Sequence, residues 1–109
     1  MELIQLTNLG AEDRLLGAGC TLSAAEMPAR VKEWAELRDR SIGIKAIEGG
    51  VSMTLSDSEQ MSTVADLLSR ESECCAFYTF VLRIDGPARE LQITAGAGRE
   101  IAVQALLGL

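Results

Sequence analysis

The sequence predicts an α+β fold, a two-layer sandwich in which helices cover one face of an antiparallel four-stranded sheet. Runs of alternating apolar and polar residues flank two short turn segments, and runs with helical periodicity lie before, between and after them. The predicted element order is therefore α-ββ-α-ββ-α, and hairpins interleaved with helices are typical of this class. A chain of 109 residues fits a single domain, residues 1–109.

The first helix is predicted from about Ser23 to Arg40. Ser23 and Glu26 have the spacing of a capping box, in which each side chain accepts a backbone N–H of the other residue. Apolar residues then repeat at helical spacing along one stripe: Met27, Val31, Trp34 and Leu37. Before this helix, residues 1–21 are predicted to form an arm or one extra strand.

A β-hairpin is predicted over residues 41–55. Apolar side chains alternate with others on both of its strands: Ile42, Ile44 and Ala46 on the first, and Val51, Met53 and Leu55 on the second. Gly49 and Gly50 stand between the strands, and glycine readily adopts the positive φ angles of a tight turn. The turn is therefore predicted at these two glycines.

The second helix is predicted over residues 57–73, with Ser56 or Asp57 as its cap. Its inner stripe is predicted to contain Met61, Val64, Leu68 and Ser72, with Leu67 beside them. Continuing the helical spacing places Cys75 on the core face and Cys74 on a flank, so that one thiol should be more exposed than the other.

A second hairpin is predicted from two β-rich runs, residues 77–84 and 91–95, with its turn at Asp85 and Gly86. The segment 96–98, Gly-Ala-Gly, then leads into the last helix. Those glycines suit a tight strand-to-helix turn better than an anion site, because the third glycine of a dinucleotide fingerprint is missing.

The last helix, which runs to Leu109, is apolar on nearly all sides, and this pattern predicts that it is buried or lies in an interface. A homodimer is therefore predicted, because a two-fold pair is the commonest way to cover surplus apolar surface. The open face of the sheet is the expected dimer surface.

The composition excludes several classes of function. A net charge of −6 disfavours nucleic acid and anionic membranes as partners, because a phosphate surface demands clustered Lys and Arg. No apolar stretch reaches the ~18 residues of a spanning helix, and residues 1–4 lack the basic region and the cleavage site that are typical of a signal peptide. A cytoplasmic protein with reduced thiols is predicted. The absence of histidine removes His-dependent catalysis and His-containing zinc sites.

The adjacent cysteines Cys74 and Cys75 are the strongest candidate for chemistry. Three of the four aromatic residues of the chain lie within five positions of this pair. Thiolates are soft ligands that select soft or borderline metal ions, and Cys20 is available as a third thiolate. The predicted metal ligands are thus Cys74, Cys75 and Cys20. The predicted pocket around them is lined by Trp34, Phe77, Phe80 and Glu73.

Other interpretations of the thiols stay open at this point. Cysteine also behaves as a small buried hydrophobe, so that all three cysteines could serve packing alone. A vicinal disulfide would be strained. Reactive thiolates are disfavoured at a helix C-terminus beside Glu71 and Glu73 unless Arg70 or another cation lies close by. These two glutamates are predicted to form a solvated helix end rather than a catalytic pair.

Three segments carry a resemblance: Cys20-Thr21-Leu22, then Arg30-x-x-x-Trp34-x-x-Leu37, and Glu73-Cys74-Cys75-x-Phe77-x-x-Phe80. Together they resemble a set of small uncharacterised bacterial proteins of similar length, over residues 20 to about 108. The resemblance implies that the cysteines, the tryptophan, Glu73 and the two phenylalanines belong to one pattern. It implies no activity.

The functional hypothesis is therefore thiol-based binding or sensing of a soft metal or metalloid. The alternative is a non-enzymatic dimeric interaction or ligand-binding module with structural cysteines. A thiol-dependent enzyme is the third hypothesis, and the lack of histidine disfavours it. The sequence leaves the cofactor open, and a soft metal ion is the candidate that the cysteines offer.

Overall fold

The computed structural model describes residues 25–109, and within them it contains three helices and four strands. In chain order these are α1 (Met27–Arg40), β1 (Gly43–Ile47), β2 (Gly50–Thr54), α2 (Met61–Cys74), β3 (Thr79–Asp85), β4 (Ala88–Thr94) and α3 (Glu100–Leu107). The α+β class and the order α-ββ-α-ββ-α are therefore confirmed. The predictions for residues 1–24, among them the Ser23 cap and any role of Cys20, lie outside the described part.

The four strands form one antiparallel sheet in the order β1-β2-β4-β3. Paired residues alternate between an apolar and a polar face, as the period of two requires. The inner face carries two cross-strand rows: Ile44, Met53, Leu91 and Leu82, and Ala46, Val51, Ile93 and Phe80. The outer face is mainly polar, with Lys45, Ser52, Gln92 and Val81 in its central row.

The core lies between the inner face of the sheet and the helices. Met53, Leu91 and Ile93 of the two central strands are fully buried. The helices contribute buried residues to the same cluster: Trp34 and Leu37 from α1, Val64, Leu67 and Leu68 from α2, and Ala102, Val103 and Leu107 from α3. Burial of this apolar surface is the main stabilising term of the fold, as in other domains of this size.

Both hairpin turns lie one residue away from their predicted positions. Ile47 pairs with Gly50, so the first turn consists of Glu48 and Gly49, and Gly49 has a φ of 79°. Gly50 is already the first residue of β2 and is buried. In the second hairpin Asp85 pairs with Ala88, so the two turn residues are Gly86 and Pro87.

Both long helices begin later than predicted. The structure begins α1 at Met27, and Pro28 is its second residue, where the missing N–H of proline costs nothing. The structure begins α2 at Met61 instead of residue 57. The Ser56 hydroxyl accepts the Ser58 N–H at 3.1 Å and so closes a local turn before the helix rather than capping it.

The connection from β4 to α3 is a strand-to-helix turn, in line with the interpretation that the sequence favours. Gly96 and Gly98 have φ angles of 97° and 82°, which glycine adopts without steric cost. The Glu100 carboxylate accepts the Gly49 N–H at 2.9 Å, and this hydrogen bond holds the pKa of Glu100 below its ordinary value. The side chain of Glu100 thereby joins the start of α3 to the first hairpin turn.

One side of α3 is exposed rather than buried. Val103 and Leu107 are fully buried, whereas Ile101 is 69% exposed. The helix ends at Leu107 rather than at the predicted Leu109, which lies beyond it and is 60% exposed. Within the described residues no helix is both long and apolar enough to cross a membrane.

The homodimer stays a prediction, and light scattering at micromolar concentration tests it. The outer face of the sheet is mainly polar, whereas the apolar side chain of Ile101 is exposed on α3. We therefore expect the two copies to contact each other through α3 rather than through the sheet. We expect a species of twice the monomer mass of 11.7 kDa, and we expect Ile101→Lys to convert it to monomer. The matched control is Ile42→Lys, at a site 70% exposed outside α3. A monomeric wild-type protein would contradict the prediction.

Candidate metal centre

The candidate site lies where α1 and α2 contact each other through side chains. Arg30 and Trp34 are one helical turn apart on α1, so both side chains project toward the same part of α2. The Trp34 Nε1–H donates to Oε1 of Glu71 at 2.8 Å, and the Arg30 Nη1–H donates to the same oxygen at 3.1 Å. Two donors from α1 therefore hold one carboxylate of α2.

Glu71 is a buried carboxylate, which corrects its prediction as part of a solvated helix end. Its exposed fraction is 3%, whereas Glu73 is exposed. The sequence contains a signal for this burial. Glu71 lies seven residues, nearly two helical turns, after buried Val64, so the two residues share one face of α2. Ser72, which the predicted stripe includes, is exposed. A buried carboxylate is costly unless it is paired and hydrogen-bonded, and Arg30 and Trp34 meet both conditions.

Both thiols lie beside this carboxylate. The Sγ of Cys74 is 3.9 Å from the Sγ of Cys75 and 3.9 Å from Oε2 of Glu71. A disulfide bond measures ~2.05 Å, so these two cysteines do not form a vicinal disulfide with each other. Both residues are buried, with exposed fractions of 7% for Cys74 and 3% for Cys75, and the predicted difference in exposure is small.

The end of α2 explains how two adjacent side chains reach the same site. Cys74 is the last helical residue, and Cys75 leaves the helix with a φ of −132° and a ψ of 86°. The N–H of Cys75 still donates to the carbonyl of Glu71 at 2.7 Å. In a continuous helix neighbouring side chains would diverge by ~100°. The change of backbone conformation at Cys75 removes that divergence.

The ligand atoms of Glu71, Cys74 and Cys75 all lie within 4.8 Å of one another. Two thiolates bound to one tetrahedral ion at ~2.3 Å each are separated by ~3.8 Å. The observed separation of 3.9 Å between the two sulfurs matches this value. The three side chains can therefore hold a soft or borderline metal ion with little rearrangement.

Arg30 places a positive charge at this site. Its Nη1–H donates to the Sγ of Cys74 at 3.3 Å, so the guanidinium contacts one of the two thiols as well as the carboxylate. Burial opposes the guanidinium charge, but hydrogen bonds to Glu71 and Cys74 outweigh this effect and raise the pKa of Arg30. The sequence leaves this role to Arg70 or another cation, and in the structure Arg70 binds the carboxylates of Glu33 and Asp66 instead.

Arg70 forms the ion pairs that flank the site. It contacts Glu33 of α1 at 2.8 Å and Asp66 of α2 at 2.8 Å. The hydrogen bond from Arg70 holds the pKa of Glu33 below its ordinary value. Glu33 and Arg70 also line a groove of about 180 Å³ between α1 and α2, whose lining does not include the thiols.

The aromatic residues of the predicted pocket form a connected cluster. Trp34 is fully buried and stacks on the half-buried ring of Phe80, with ring centres 5.8 Å apart. Phe77 precedes β3 and packs on Tyr78, whose hydroxyl donates to the carbonyl of Ala102 at 2.9 Å. Trp34 thus contacts the carboxylate of the site, and Phe80 contacts Trp34.

Comparisons of the chain with protein-family models, with curated proteins and with solved structures find no match. The resemblance to small bacterial proteins stays a prediction. The function is therefore inferred from the site itself.

Proposed function

We propose that this protein binds a soft metal ion or metalloid through Cys74 and Cys75, with Glu71 as a third ligand. One observation carries the proposal: two sulfurs and a carboxylate oxygen converge within 4.8 Å in a buried site. Thiolates prefer soft and borderline ions to hard ions such as magnesium or calcium. A bound cation would also supply the positive charge that two neighbouring thiolates need in a buried environment.

The surroundings of the three ligands support the same proposal. Ligating carboxylates in metal sites are themselves hydrogen-bonded by outer groups, which orient them and tune the metal. Trp34 and Arg30 both donate to Oε1 of Glu71, and Oε2 of the same carboxylate lies 3.9 Å from the sulfur of Cys74. Oε1 of Glu71 thus accepts hydrogen bonds from α1, and Oε2 is directed toward the sulfur of Cys74.

We further propose Cys20 as the fourth ligand. Tetrahedral sites hold four ligands, and the described residues supply three of them at this position. Arg30, which contacts Cys74, lies ten residues after Cys20. A segment of that length spans up to ~33 Å, so the sequence separation permits the contact.

Native mass spectrometry of the reduced protein with zinc, Cu(I), mercury(II) or arsenite tests the proposal. We expect one ion per chain for at least one of these species. The double variant Cys74→Ser, Cys75→Ser should lose this binding, because serine hydroxyls do not replace thiolates for soft ions. Cys20→Ser should keep the same stoichiometry with a lower affinity, because the other three ligands remain.

The controls separate loss of ligands from loss of fold. Far-UV circular dichroism of each variant should match that of the wild type, since a serine differs from a cysteine by one atom. Ser69→Ala, an exposed substitution on the same helix, is the matched control and should bind as the wild type does. Unchanged stoichiometry in the double variant would contradict the metal proposal.

The second candidate is a non-enzymatic interaction module in which the cysteines serve packing. Both thiols belong to the same buried cluster as Trp34 and Leu68, and this membership favours a structural role.

The two candidates differ in one measurement. A structural role predicts that Cys74→Ala, Cys75→Ala lowers the free energy of unfolding by the same amount with and without added metal. A metal site predicts that added metal stabilises only the wild type.

A further inference from the structure

We propose that the guanidinium of Arg30 is a gate over the candidate metal site, and that an ion enters and leaves the site when Arg30 moves away from Glu71 and Cys74. The gate regulates ion exchange, and it rests on the proposed metal binding by Cys74 and Cys75. It sets how fast the ion exchanges rather than which ion binds.

The side chain of Arg30 contacts three groups on two helices. Its Nη1–H donates to Oε1 of Glu71 at 3.1 Å and to the Sγ of Cys74 at 3.3 Å, and both of these residues belong to α2. Its Nε lies 3.6 Å from Oε1 of Glu33, one turn further along α1. Two of the proposed ligands are thus held to α1 by one guanidinium.

The exposed fraction increases outward along these contacts. Glu71 is 3% and Cys74 7% exposed, whereas the side chain of Arg30 is 13% and that of Glu33 41% exposed. Trp34, the other residue of α1 that donates to Glu71, is fully buried. Of these two donors, Arg30 is therefore the one that faces water.

An ion held by buried ligands exchanges through local opening, because water or a competing ligand must first reach it. Movement of Trp34 would take a fully buried ring out of the core and away from Phe80. Movement of Arg30 breaks three side-chain contacts and leaves the backbone of both helices in place. Rotation of the arginine side chain is therefore the opening with the lower free-energy cost.

Two substitutions separate the gate from the charge of Arg30. Arg30→Met removes both the hydrogen bonds and the charge, whereas Arg30→Lys keeps the charge but lacks the planar fork that reaches Glu33 as well as α2. We expect both variants to take up and release the ion at least ~10-fold faster than the wild type, since loss of one hydrogen bond to a charged group is enough for that factor. A gate that closes before and after binding changes both rates equally, so the dissociation constant should stay near its wild-type value.

The experiment uses zinc and reduced protein under anaerobic conditions, after thermal unfolding shows that each variant is folded. Release is measured by mixing the zinc-loaded protein with a chromophoric chelator at increasing concentrations, and uptake by the fluorescence of Trp34, whose N–H donates to Glu71. If opening limits release, the wild-type rate reaches a plateau at high chelator concentration. The matched control is Lys32→Met, which removes an exposed positive charge from the same helix and should exchange zinc as the wild type does.

A plateau in the wild type together with equal acceleration in both Arg30 variants supports the gate. Acceleration in Arg30→Met alone would overturn it, because the charge would then act without the hydrogen bonds. Faster release with an equally weaker affinity would also overturn it, because Arg30 would then only position the ligands. Unchanged rates in both variants, or a wild-type release rate that keeps rising with chelator concentration, would overturn it as well. A wild type that binds no zinc would contradict the gate, while the proposed function would be decided by Cu(I), mercury(II) and arsenite.

Discussion

Trp34→Ala should lower the free energy of unfolding by about 3–5 kcal/mol, the range for truncation of a large buried aromatic side chain. Trp34 is fully buried and stacks on Phe80, so its removal leaves a cavity between α1 and the sheet. It also removes the 2.8 Å hydrogen bond to the carboxylate of Glu71. A buried charged acceptor that loses a donor adds a further penalty.

Urea unfolding followed by far-UV circular dichroism measures this effect, because Trp34 is the only tryptophan and its fluorescence is lost in the variant. Trp34→Phe is the matched control. It keeps an aromatic ring beside Phe80 but lacks the N–H donor, so the Glu71 carboxylate keeps its hydrogen bond from Arg30 and loses the one from residue 34. We expect a loss of about 1.5–3 kcal/mol, the usual net contribution of a hydrogen bond to a charged group. A phenylalanine variant as stable as the wild type would show that this hydrogen bond does not stabilise the site.

Gly50→Ala should lower the free energy of unfolding by about 3 kcal/mol or more. Added volume in a packed core usually costs about 1–3 kcal/mol, so this substitution is expected at the upper end of that range or above it. A Cβ at residue 50 would overlap the carbonyl oxygen of Ile93 and lie 2.8 Å from its carbonyl carbon and 2.9 Å from the Cα of Thr94. All three are backbone atoms of β4, so no side-chain rotation relieves the overlap. The central pairing of β2 with β4 would have to shift.

Gly43→Ala is the matched control for this substitution, since a Cβ there meets no atom within 4 Å. Both glycines begin a strand of the same hairpin, Gly43 in β1 and Gly50 in β2. The control should change the free energy of unfolding by less than about 1 kcal/mol, as Gly-to-Ala changes do where space and backbone allow. Similar stabilities of the two variants in urea would contradict the close approach of β2 to β4.

The secondary structure was largely predictable, because its determinants are local. Alternation of apolar residues and turn-forming glycines predicted both hairpins, and helical spacing predicted α2 and α3. The errors are confined to boundaries, where local hydrogen bonds compete with the helix. The Ser56 hydroxyl, for example, bonds to the Ser58 N–H and closes a turn that delays α2 until Met61.

The candidate site was only partly predictable. The two adjacent cysteines are visible in the sequence as a pair of soft ligands, but Glu71 was predicted to be solvated and Arg30 was given no role at the site. The reason is that a charged residue on a helix is normally exposed unless a partner from another element pairs with it and stabilises it in the buried state. That partner lies 41 residues away in the sequence, and no local pattern reports it.

By itself, the sequence determined the α+β class, the order of its elements and the presence of two neighbouring thiols at the end of a helix. Tertiary structure alone decided which side chains surround those thiols. Packing of α1 against α2 brings Arg30 and Trp34 onto Glu71, and the change of backbone conformation at Cys75 places both sulfurs 3.9 Å apart. Periodicity specifies which face of an element is buried, but contact between two elements depends on how their side chains fit together.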